Sequence, residues 1–291
     1  MKPISNSDRA RALIDALPYI QQFRGKTIVI KYGGNAMING ELKQAVVEDL
    51  ILISCLGICP VLVHGGGPEI EALLKKLGKE SRFVAGLRCT DEETMEAVQM
   101  ALCGKVNKDI TAMLQAAGGR AVGLSGLDGA LLKARRTRGP AGEDLGLVGE
   151  IEAVERWPLD SVIQSGAIPV ISTAAFGLGD DYGRALNVNA DIAAAKLAAA
   201  IGAEKLILMT DVPGLLRDVR DPDSLITALR LGELEALKAQ GVVSRGMIPK
   251  LDCCALALSG GVKKAHIIDG RVPHVLLLEL FTDEGIGTMI E

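Results

Sequence analysis

The 291-residue sequence has little of the chemistry that marks several protein classes. Six cysteines without a CxxC pair and three histidines without metal-ligand spacing argue against zinc or redox use. Scattered basic residues and a net charge of −4 give no footprint for nucleic acid. No apolar run approaches the ~20 residues of a membrane span, and the N-terminus lacks the apolar centre of a signal peptide. We therefore expect a cytoplasmic protein with reduced thiols and no metal site of its own, which binds neither nucleic acid nor membranes.

Aromatic residues are also scarce, whereas apolar residues make up 48% of the sequence. The core must therefore consist mainly of Leu, Ile, Val and Ala, which is typical of α/β folds with buried parallel strands. Short β-branched or leucine-rich runs alternate with alanine-rich helical patterns, which is a βαβα signature. We predict an α/β protein, a three-layer αβα sandwich with a central, mainly parallel open sheet.

The predicted elements follow this alternation. Helices are expected over 41–55 and 68–77, and LLKARR with VGEIEAVE should form a hairpin. Thr90, followed three residues later by Glu93, forms a capping-box pattern and predicts a helix through Cys103. Strands are expected, in chain order, at KTIVIK, PVLVH, AVGLS, AIPVIS, KLILMT, AHIID and HVLLLEL.

Three segments are expected along the chain. Residues 1–24 carry a helical apolar stripe, which Pro18 should kink because proline cannot keep the backbone bond to the preceding turn. The polar stretch GLGDDYGRA is the best candidate for a join between one lobe over 25–183 and another over 184–291. An exposed apolar stripe usually needs a partner surface, so we expect residues 1–24 to be an oligomerisation arm.

Two glycine loops follow predicted strands. Lys31 ends the strand TIVIK at the edge where open α/β sheets place their ligands, and Gly33 and Gly34 would let the backbone run close to a bulky anion. The second loop, Gly65–Gly67 before Pro68, would aim backbone N–H groups and a helix N-terminus into one cavity. Neither loop is a Walker A motif, and no GxGxxG follows a strand.

Three further motifs complete a candidate site. Arg88 in GLRCTD could grip a carboxylate through two parallel bonds. The segment from Asn187 to Asp191 places two amides and a carboxylate at the start of an alanine-rich helix, and GMIPKLD supplies Lys250 in an apolar setting. Taken singly, each also fits a surface arginine, a helix cap or a solvated lysine. Together they suit phosphoryl transfer, which depends on positioning and charge neutralisation.

Seven motifs in this order resemble the amino acid kinase family and cover nearly the whole chain: KYGGNAM, VLVHGGGP, GLRCTD, NVNAD, TDVPGLL, GMIPKLD and FTDEGIGTMI. The resemblance is strongest to the branch that acts on N-acetyl-L-glutamate in arginine biosynthesis. It implies that ATP, with Mg²⁺ held mainly by the phosphates, phosphorylates the side-chain carboxylate of the acceptor to give N-acetyl-L-glutamyl 5-phosphate.

The resemblance also implies roles for individual residues. The residues matching Lys31 and Lys250 stabilise the transition state, and the residue matching Asp191 organises both lysines. Acceptor binding is implied for Gly66, Gly67, Arg88, Asn187 and Asn189. Nucleotide binding is implied for Gly33, Gly34, Thr210, Asp211, Gly214, Leu215 and Met247.

Feedback inhibition by L-arginine is a further implication. FTDEGIGTMI resembles the arginine-site signature of the inhibited members, in which His266, Glu279 and Gly285 would bind the inhibitor. Residues 1–24 resemble the arm that interlaces dimers into a homo-hexamer, a trimer of dimers. The first lobe would then bind the acceptor and form the dimer, and the second would bind ATP and arginine. A PII-type signalling protein is a further partner that the resemblance leaves open.

The sequence departs from the family pattern at Cys89, Leu127 and residues 171–180, which concern the rim of the acceptor pocket.

Two other functions also remain open. A sister activity, such as a carbamate, aspartate or nucleoside-monophosphate kinase, would share the lysines and glycine loops, because fold alone does not fix the substrate. A non-catalytic arginine-sensing module would share the C-terminal signature, although retention of both lysines argues against it. A Rossmann oxidoreductase is disfavoured because its fingerprint is absent.

Overall fold

The computed structural model of the protein describes residues 5–239, 243–244, 246–283 and 285–291. The strands are β1 (Thr27–Tyr32), β2 (Cys59–His64), β3 (Phe83–Val84), β4 (Leu87–Arg88), β5 (Ala121–Gly126), β6 (Leu132–Arg138), β7 (Asp144–Val154), β8 (Ile168–Gly177), β9 (Ala185–Asn187), β10 (Lys205–Thr210), β11 (Ala228–Leu229), β12 (Lys264–Asp269) and β13 (Thr288–Ile290). The helices are α1 (Asn6–Asp15), α2 (Leu17–Phe23), α3 (Gly40–Cys55), α4 (Gly67–Lys76), α5 (Glu92–Gln99), α6 (Asn107–Ala116), α7 (Trp157–Gln164), α8 (Ala190–Ile201), α9 (Leu234–Ala239), α10 (Ile248–Ser259) and α11 (Val275–Phe281). A π-helical segment, Met100–Val106, joins α5 to α6.

One large sheet dominates the fold. Within the described ranges, eleven strands form it in the order β11-β13-β12-β10-β1-β2-β8-β6-β7-β9, with β5 also paired to β8. The central strands β12, β10, β1, β2, β8 and β5 run parallel. β13 is antiparallel to β12, and β6 with β7 forms the predicted hairpin beyond β8. The prediction of a mainly parallel open sheet is confirmed.

The sheet has a hydrophobic core on each face. Successive residues of β1 point to opposite faces, so Val29 joins the core beneath α4, α5, α8 and α10, while Ile28 and Ile30 join the core beneath α3, α6 and α11. All three side chains are fully buried. Helices therefore cover both faces, and the predicted αβα sandwich is confirmed.

The predicted capping box is wrong by one residue. Asp91, not Thr90, caps α5, since its side chain accepts a hydrogen bond from the Thr94 backbone N–H at 2.7 Å. Thr90 instead donates its hydroxyl to the Arg88 carbonyl at 2.7 Å. The helix also does not end at Cys103, because the π-helical segment carries it on into α6.

The expected strand HVLLLEL is also wrong, because these residues form helix α11. A short run of leucines lacks the alternation that separates strands from helices, and leucine is a good helix former. Val275, Leu276 and Leu280 are buried on one side of the helix. Glu279 therefore projects from a helix rather than from the end of a strand.

The N-terminal segment is broken into α1 and α2 just before Pro18, as predicted. Leu13 and Ile14 of α1 are 74% and 67% exposed, whereas Phe23 at the end of α2 is buried in the core beside α11. The boundary between lobes near residue 183 stays a prediction. In the part of the chain that the structure describes, we find no helix of the length and apolarity needed to cross a membrane.

Candidate active site

Three charged side chains from three elements meet at one edge of the sheet. Asp191 Oδ1 lies 2.9 Å from Lys31 Nζ, and Asp191 Oδ2 accepts a hydrogen bond of 3.0 Å from Lys250 Nζ. The three side chains are largely buried. The structure thus brings together the two lysines and the carboxylate that the sequence singles out.

Local sequence explains how each side chain reaches this point. Lys31 is the penultimate residue of β1, and Asp191 is the second residue of α8. Asn189 caps α8, because its side-chain oxygen accepts hydrogen bonds from the N–H groups of Asp191 at 2.9 Å and Ile192 at 3.2 Å. Lys250 lies in the first turn of α10, where a proline at the second position suits a helix start. The N-termini of α8 and α10 add their positive dipole ends to the site.

The electrostatics of the cluster favour an anionic ligand. Burial alone would raise the pKa of Asp191, but the charges of Lys31 and Lys250 outweigh it and hold that pKa below its ordinary value. Asp191 is therefore ionised and offsets one of the two positive charges. The remaining positive charge suits a phosphoryl group, whose negative charge is spread over several oxygens.

A cavity of about 440 Å³ opens beside both lysines. Six of the residues predicted to bind nucleotide line it: Gly34, Thr210, Asp211, Gly214, Leu215 and Met247. Gly33 is not among the lining residues, but a Cβ atom there would come within 2.8 Å of Lys31 Nζ. The absence of a side chain at Gly33 therefore leaves space for the ammonium group of Lys31.

Gly34 is required at its position for two reasons. Its φ of +70° is in the left-handed region, and a Cβ atom would lie 2.5 Å from Asp211 Oδ1.

Arg271 lines the same cavity and was not predicted from the sequence. It is held by Asp269, which accepts from Nε at 2.8 Å and from Nη2 at 2.7 Å. The signal was present, since Arg271 follows the end of a predicted parallel strand.

A second cavity, of about 190 Å³, lies against the other glycine loop. Gly65–Gly67, Arg88, Asn187 and Asn189 all line it, so the predicted acceptor residues lie together. Asn187 Nδ2 donates to Thr90 Oγ1 at 3.2 Å. This cavity adjoins the lysine cluster because the segment from Asn187 to Asn189 leads directly into Asp191.

Arg88 lies at the wall of the second cavity, where several contacts orient its guanidinium. Its Nη1 donates to Glu71 Oε2 at 2.9 Å and also to Ser81 Oγ. The guanidinium carbon lies 4.6 Å from the centre of the Phe83 ring, a cation–π contact. Nη2 reaches the Gly67 carbonyl at 3.4 Å. None of these four partners of the guanidinium was expected from the sequence, because the hairpin of β3 and β4 that carries Arg88 has strands of only two residues.

A third cavity, of about 370 Å³, is lined by His266, Glu279 and Gly285 together with Tyr19 and Phe23 from α2. His266 is the third residue of β12. Its Nδ1 lies 2.6 Å from Glu279 Oε1. The structure therefore gathers the three predicted arginine-binding residues and adds the N-terminal segment to them.

Glu279 is the anionic centre of this third cavity. Burial alone would raise its pKa, but the hydrogen bond from His266, the Ile286 backbone N–H at 3.1 Å and the charge of Lys205 hold that pKa below its ordinary value. Lys205 was also missed; its Nζ lies 3.8 Å from Glu279 and 4.9 Å from the centre of the Phe23 ring. Glu279 is therefore an ionised, buried acceptor at the wall of this cavity.

Comparisons with known proteins agree with this geometry. The sequence model of the amino acid kinase family matches residues 26–269. Acetylglutamate kinase of Clostridium beijerinckii is 53% identical over 287 residues, which cover 99% of this chain and 99% of that protein. N-acetylglutamate synthase from Neisseria gonorrhoeae, complexed with coenzyme A and N-acetyl-glutamate, is similar in structure with a TM-score of 0.84 and 30% identity, over 97% of this chain and 63% of that one. The same synthase complexed with coenzyme A and L-arginine gives a TM-score of 0.80 and 28% identity, over 97% and 65%.

Two lysines bridged by a carboxylate, at the carboxyl edge of an open sheet, have the charge arrangement that phosphoryl transfer needs. The match to the family model and the similarity to known acetylglutamate kinases show the family of the chain. The chain belongs to the amino acid kinase family and is a kinase.

Proposed function

We propose that the chain transfers a phosphoryl group from ATP to the side-chain carboxylate of N-acetyl-L-glutamate, in arginine biosynthesis. The observation that carries this proposal is the position of the segment from Asn187 to Asp191. Its asparagines line the smaller cavity, and its aspartate holds both lysines at the larger one. The name of the 53% identical relative, acetylglutamate kinase, supports the choice of acceptor.

The residues divide the work between binding and transition-state stabilisation. Arg88, already aimed by its partners, grips a carboxylate of the acceptor through charge-assisted hydrogen bonds. Gly66 and Gly67 let the acceptor come close to the backbone. Lys31 and Lys250 neutralise charge on the moving phosphoryl group, and a preorganised charge of this kind needs no rearrangement during the reaction.

Magnesium fits this site as an ion carried by the nucleotide. The larger cavity offers lysine ammonium groups and the carboxylate of Asp211. Mg²⁺ prefers oxygen ligands and usually binds through one or two carboxylates plus substrate phosphates, so it would be held mainly by ATP. When bound, it supplies further neutralisation of phosphate charge.

An acceptor panel tests the proposal. ADP release would be measured with N-acetyl-L-glutamate, L-glutamate, L-aspartate, carbamate and a nucleoside monophosphate, with L-glutamate as the matched control that lacks only the acetyl group. We expect turnover with N-acetyl-L-glutamate alone. Faster turnover of another acceptor would identify a sister activity, and no ADP release with any acceptor would favour a non-catalytic arginine-sensing module.

We further propose that L-arginine binds in the third cavity and inhibits the enzyme. The ionised Glu279 suits a guanidinium ligand, and Tyr19 and Phe23 bring the N-terminal arm to the same cavity. A ligand at that junction inhibits only if it binds one arrangement of arm and lobe better than another. The synthase solved with L-arginine supports this choice of ligand.

The arm also supports a proposed hexamer. Leu13 and Ile14 present an apolar face that a second copy of the chain would cover, giving a trimer of dimers. The PII-type partner, the cytoplasmic location and the division of the chain at residues 24 and 183 stay predictions from the sequence.

A further inference from the structure

The continuous helical stretch formed by α5 and α6 is interrupted by a π-helical segment where it packs against the Gly65–Gly67 loop. The segment Met100–Val106 is π-helical, and such segments are rare and often lie at functional sites. Leu102 of this segment lies against Gly66, where a Cβ atom would come within 2.6 Å of Leu102 Cδ2. The π-helical segment therefore packs directly on the glycine loop, and Asn107 follows it as the first residue of α6.

Asn107 connects three strands of the sheet. Its side chain is buried, and its Nδ2 lies 2.8 Å from the Val170 carbonyl, 3.0 Å from the Leu124 carbonyl and 3.2 Å from His64 Nε2. Lys108 Nζ donates to Asn107 Oδ1 at 3.0 Å, which turns the amide nitrogen toward the strands. These three acceptors share the two N–H groups of one amide, which thus links β8, β5 and the last residue of β2.

His64 completes the connection to the loop. Its side chain is fully buried, and Nδ1 lies 2.7 Å from the Gly65 carbonyl. A carbonyl accepts only from a protonated nitrogen, so Nδ1 carries the proton and Nε2 is left to accept from Asn107. Burial lowers the pKa of His64 to about 4, and the nearby charge of Lys108 also lowers it, against the opposing hydrogen bond to Gly65. The ring is therefore neutral near pH 7.

We infer that His64 and Asn107 are positioning residues for phosphoryl transfer, which hold the Gly65–Gly67 loop in the one geometry that receives the acceptor. A loop of three glycines has more backbone freedom than any other tripeptide, so it needs restraint from outside. Gly65 has that restraint on both sides, because its N–H donates to the Tyr32 carbonyl at 3.0 Å and its carbonyl accepts from His64. The inference rests on the proposed function, since it assigns the acceptor to this loop.

Kinetics of two variants test the role. His64→Leu removes both hydrogen bonds at similar volume, whereas His64→Asn places an amide donor near the position of Nδ1. We expect His64→Leu to lower kcat/KM for N-acetyl-L-glutamate by about 100-fold, the typical cost of a misplacement near 1 Å, with KM for ATP within about two-fold. His64→Asn should recover most of that loss. His274→Asn, at a histidine remote from the loop, is the matched control and should leave both kcat/KM for N-acetyl-L-glutamate and KM for ATP unchanged.

An equal loss of kcat/KM in both His64 variants would mean that His64 has only a structural role, and so would a parallel rise of KM for N-acetyl-L-glutamate and KM for ATP. Either result would overturn the inference. Imidazole ¹⁵N NMR of the full-length protein adds a readout that does not depend on activity, and the chain has only three histidines to assign. His64 should remain the Nδ1–H tautomer from pH 6 to 9, and Asn107→Leu should shift its Nε2 signal. A His64 ring that titrates in that range, or carries its proton on Nε2, would overturn the inference even if the acceptor panel identified a different substrate.

Discussion

Asp49 provides a stability prediction with a defined pH window. It lies on α3, is fully buried, and its Oδ1 lies 2.7 Å from Nδ1 of His274, the residue before α11. A backbone contact with Leu276 in the first turn of α11 also favours the carboxylate. Burial nevertheless raises the pKa of Asp49 to about 6, against the opposing hydrogen bond from His274. The ionised carboxylate is therefore the form that the fold penalises.

The sign and size of the effect follow from that pKa. In the unfolded chain the carboxyl titrates near its ordinary value of 3.8, so above that pH the folded state binds more protons than the unfolded state. Stability from this group is complete below the unfolded pKa and is lost as the pH rises through the folded pKa. The full loss is about 3 kcal/mol for a shift of roughly two units, of which about 1.4 kcal/mol falls between pH 5 and pH 8.

Asp49→Asn isolates this effect, because asparagine keeps the shape and an acceptor oxygen for His274 but cannot ionise. Urea unfolding of both proteins at pH 5 and pH 8, at one fixed protein concentration, measures it. The free energy of unfolding of the wild type should fall by about 1.4 kcal/mol more than that of the variant. Repeating the pair in a His274→Gln background excludes titration of the histidine. The same difference between wild type and variant at both pH values would refute the reasoning.

Four further outcomes are expected. Lys31→Ala and Lys250→Ala should each lower kcat at least ~100-fold with unchanged circular dichroism, because each removes one preorganised charge; near-normal turnover would refute the role. Arg88→Ala should raise KM for N-acetyl-L-glutamate far more than KM for ATP in steady-state assays, and equal rises would contradict acceptor binding. Glu279→Ala should abolish inhibition by L-arginine and leave arginine-free turnover close to wild type; persistent inhibition would place the sensor elsewhere. Deletion of residues 1–24 should reduce the proposed hexamer to dimers, as measured by light scattering, and an unchanged molecular mass would refute the role of these residues in assembly.

The residues of the candidate active site could be predicted from the sequence because each of them lies in a recognisable local pattern. Lys31 is a charge at the end of an apolar strand, and Asp191 follows an asparagine that caps a helix. Parallel strands deliver their carboxyl ends to one edge, so residues far apart in sequence converge without any pairwise information. The fold class was readable for a similar reason, since alternation of strand and helix patterns constrains the sheet.

Features that depend on contacts between residues far apart in the sequence could not be predicted. Nothing near Arg88 in the sequence shows that Glu71 and Ser81 hold it. Helix α11 was missed because its leucine run has no period, and its placement depends on packing against α2 and α3. The capping residue of α5 was misassigned because Thr90 and Asp91 are both good caps, and the Thr90 hydroxyl is occupied by the Arg88 carbonyl.

The pairing of β2, β1 and β10 has a mechanical consequence. β1 is hydrogen-bonded to β10 from Ile28 to Lys31 and to β2 along its whole length. β2 leads into the Gly65–Gly67 loop at the smaller cavity and β10 into the wall of the larger cavity, so two strand spacings, about 10 Å, separate the floors of the two cavities. A ladder of backbone hydrogen bonds resists stretching, and this separation is therefore stiff whether or not substrates are bound. Any opening for entry or release of a substrate must come from the loops and helices that cover the sheet.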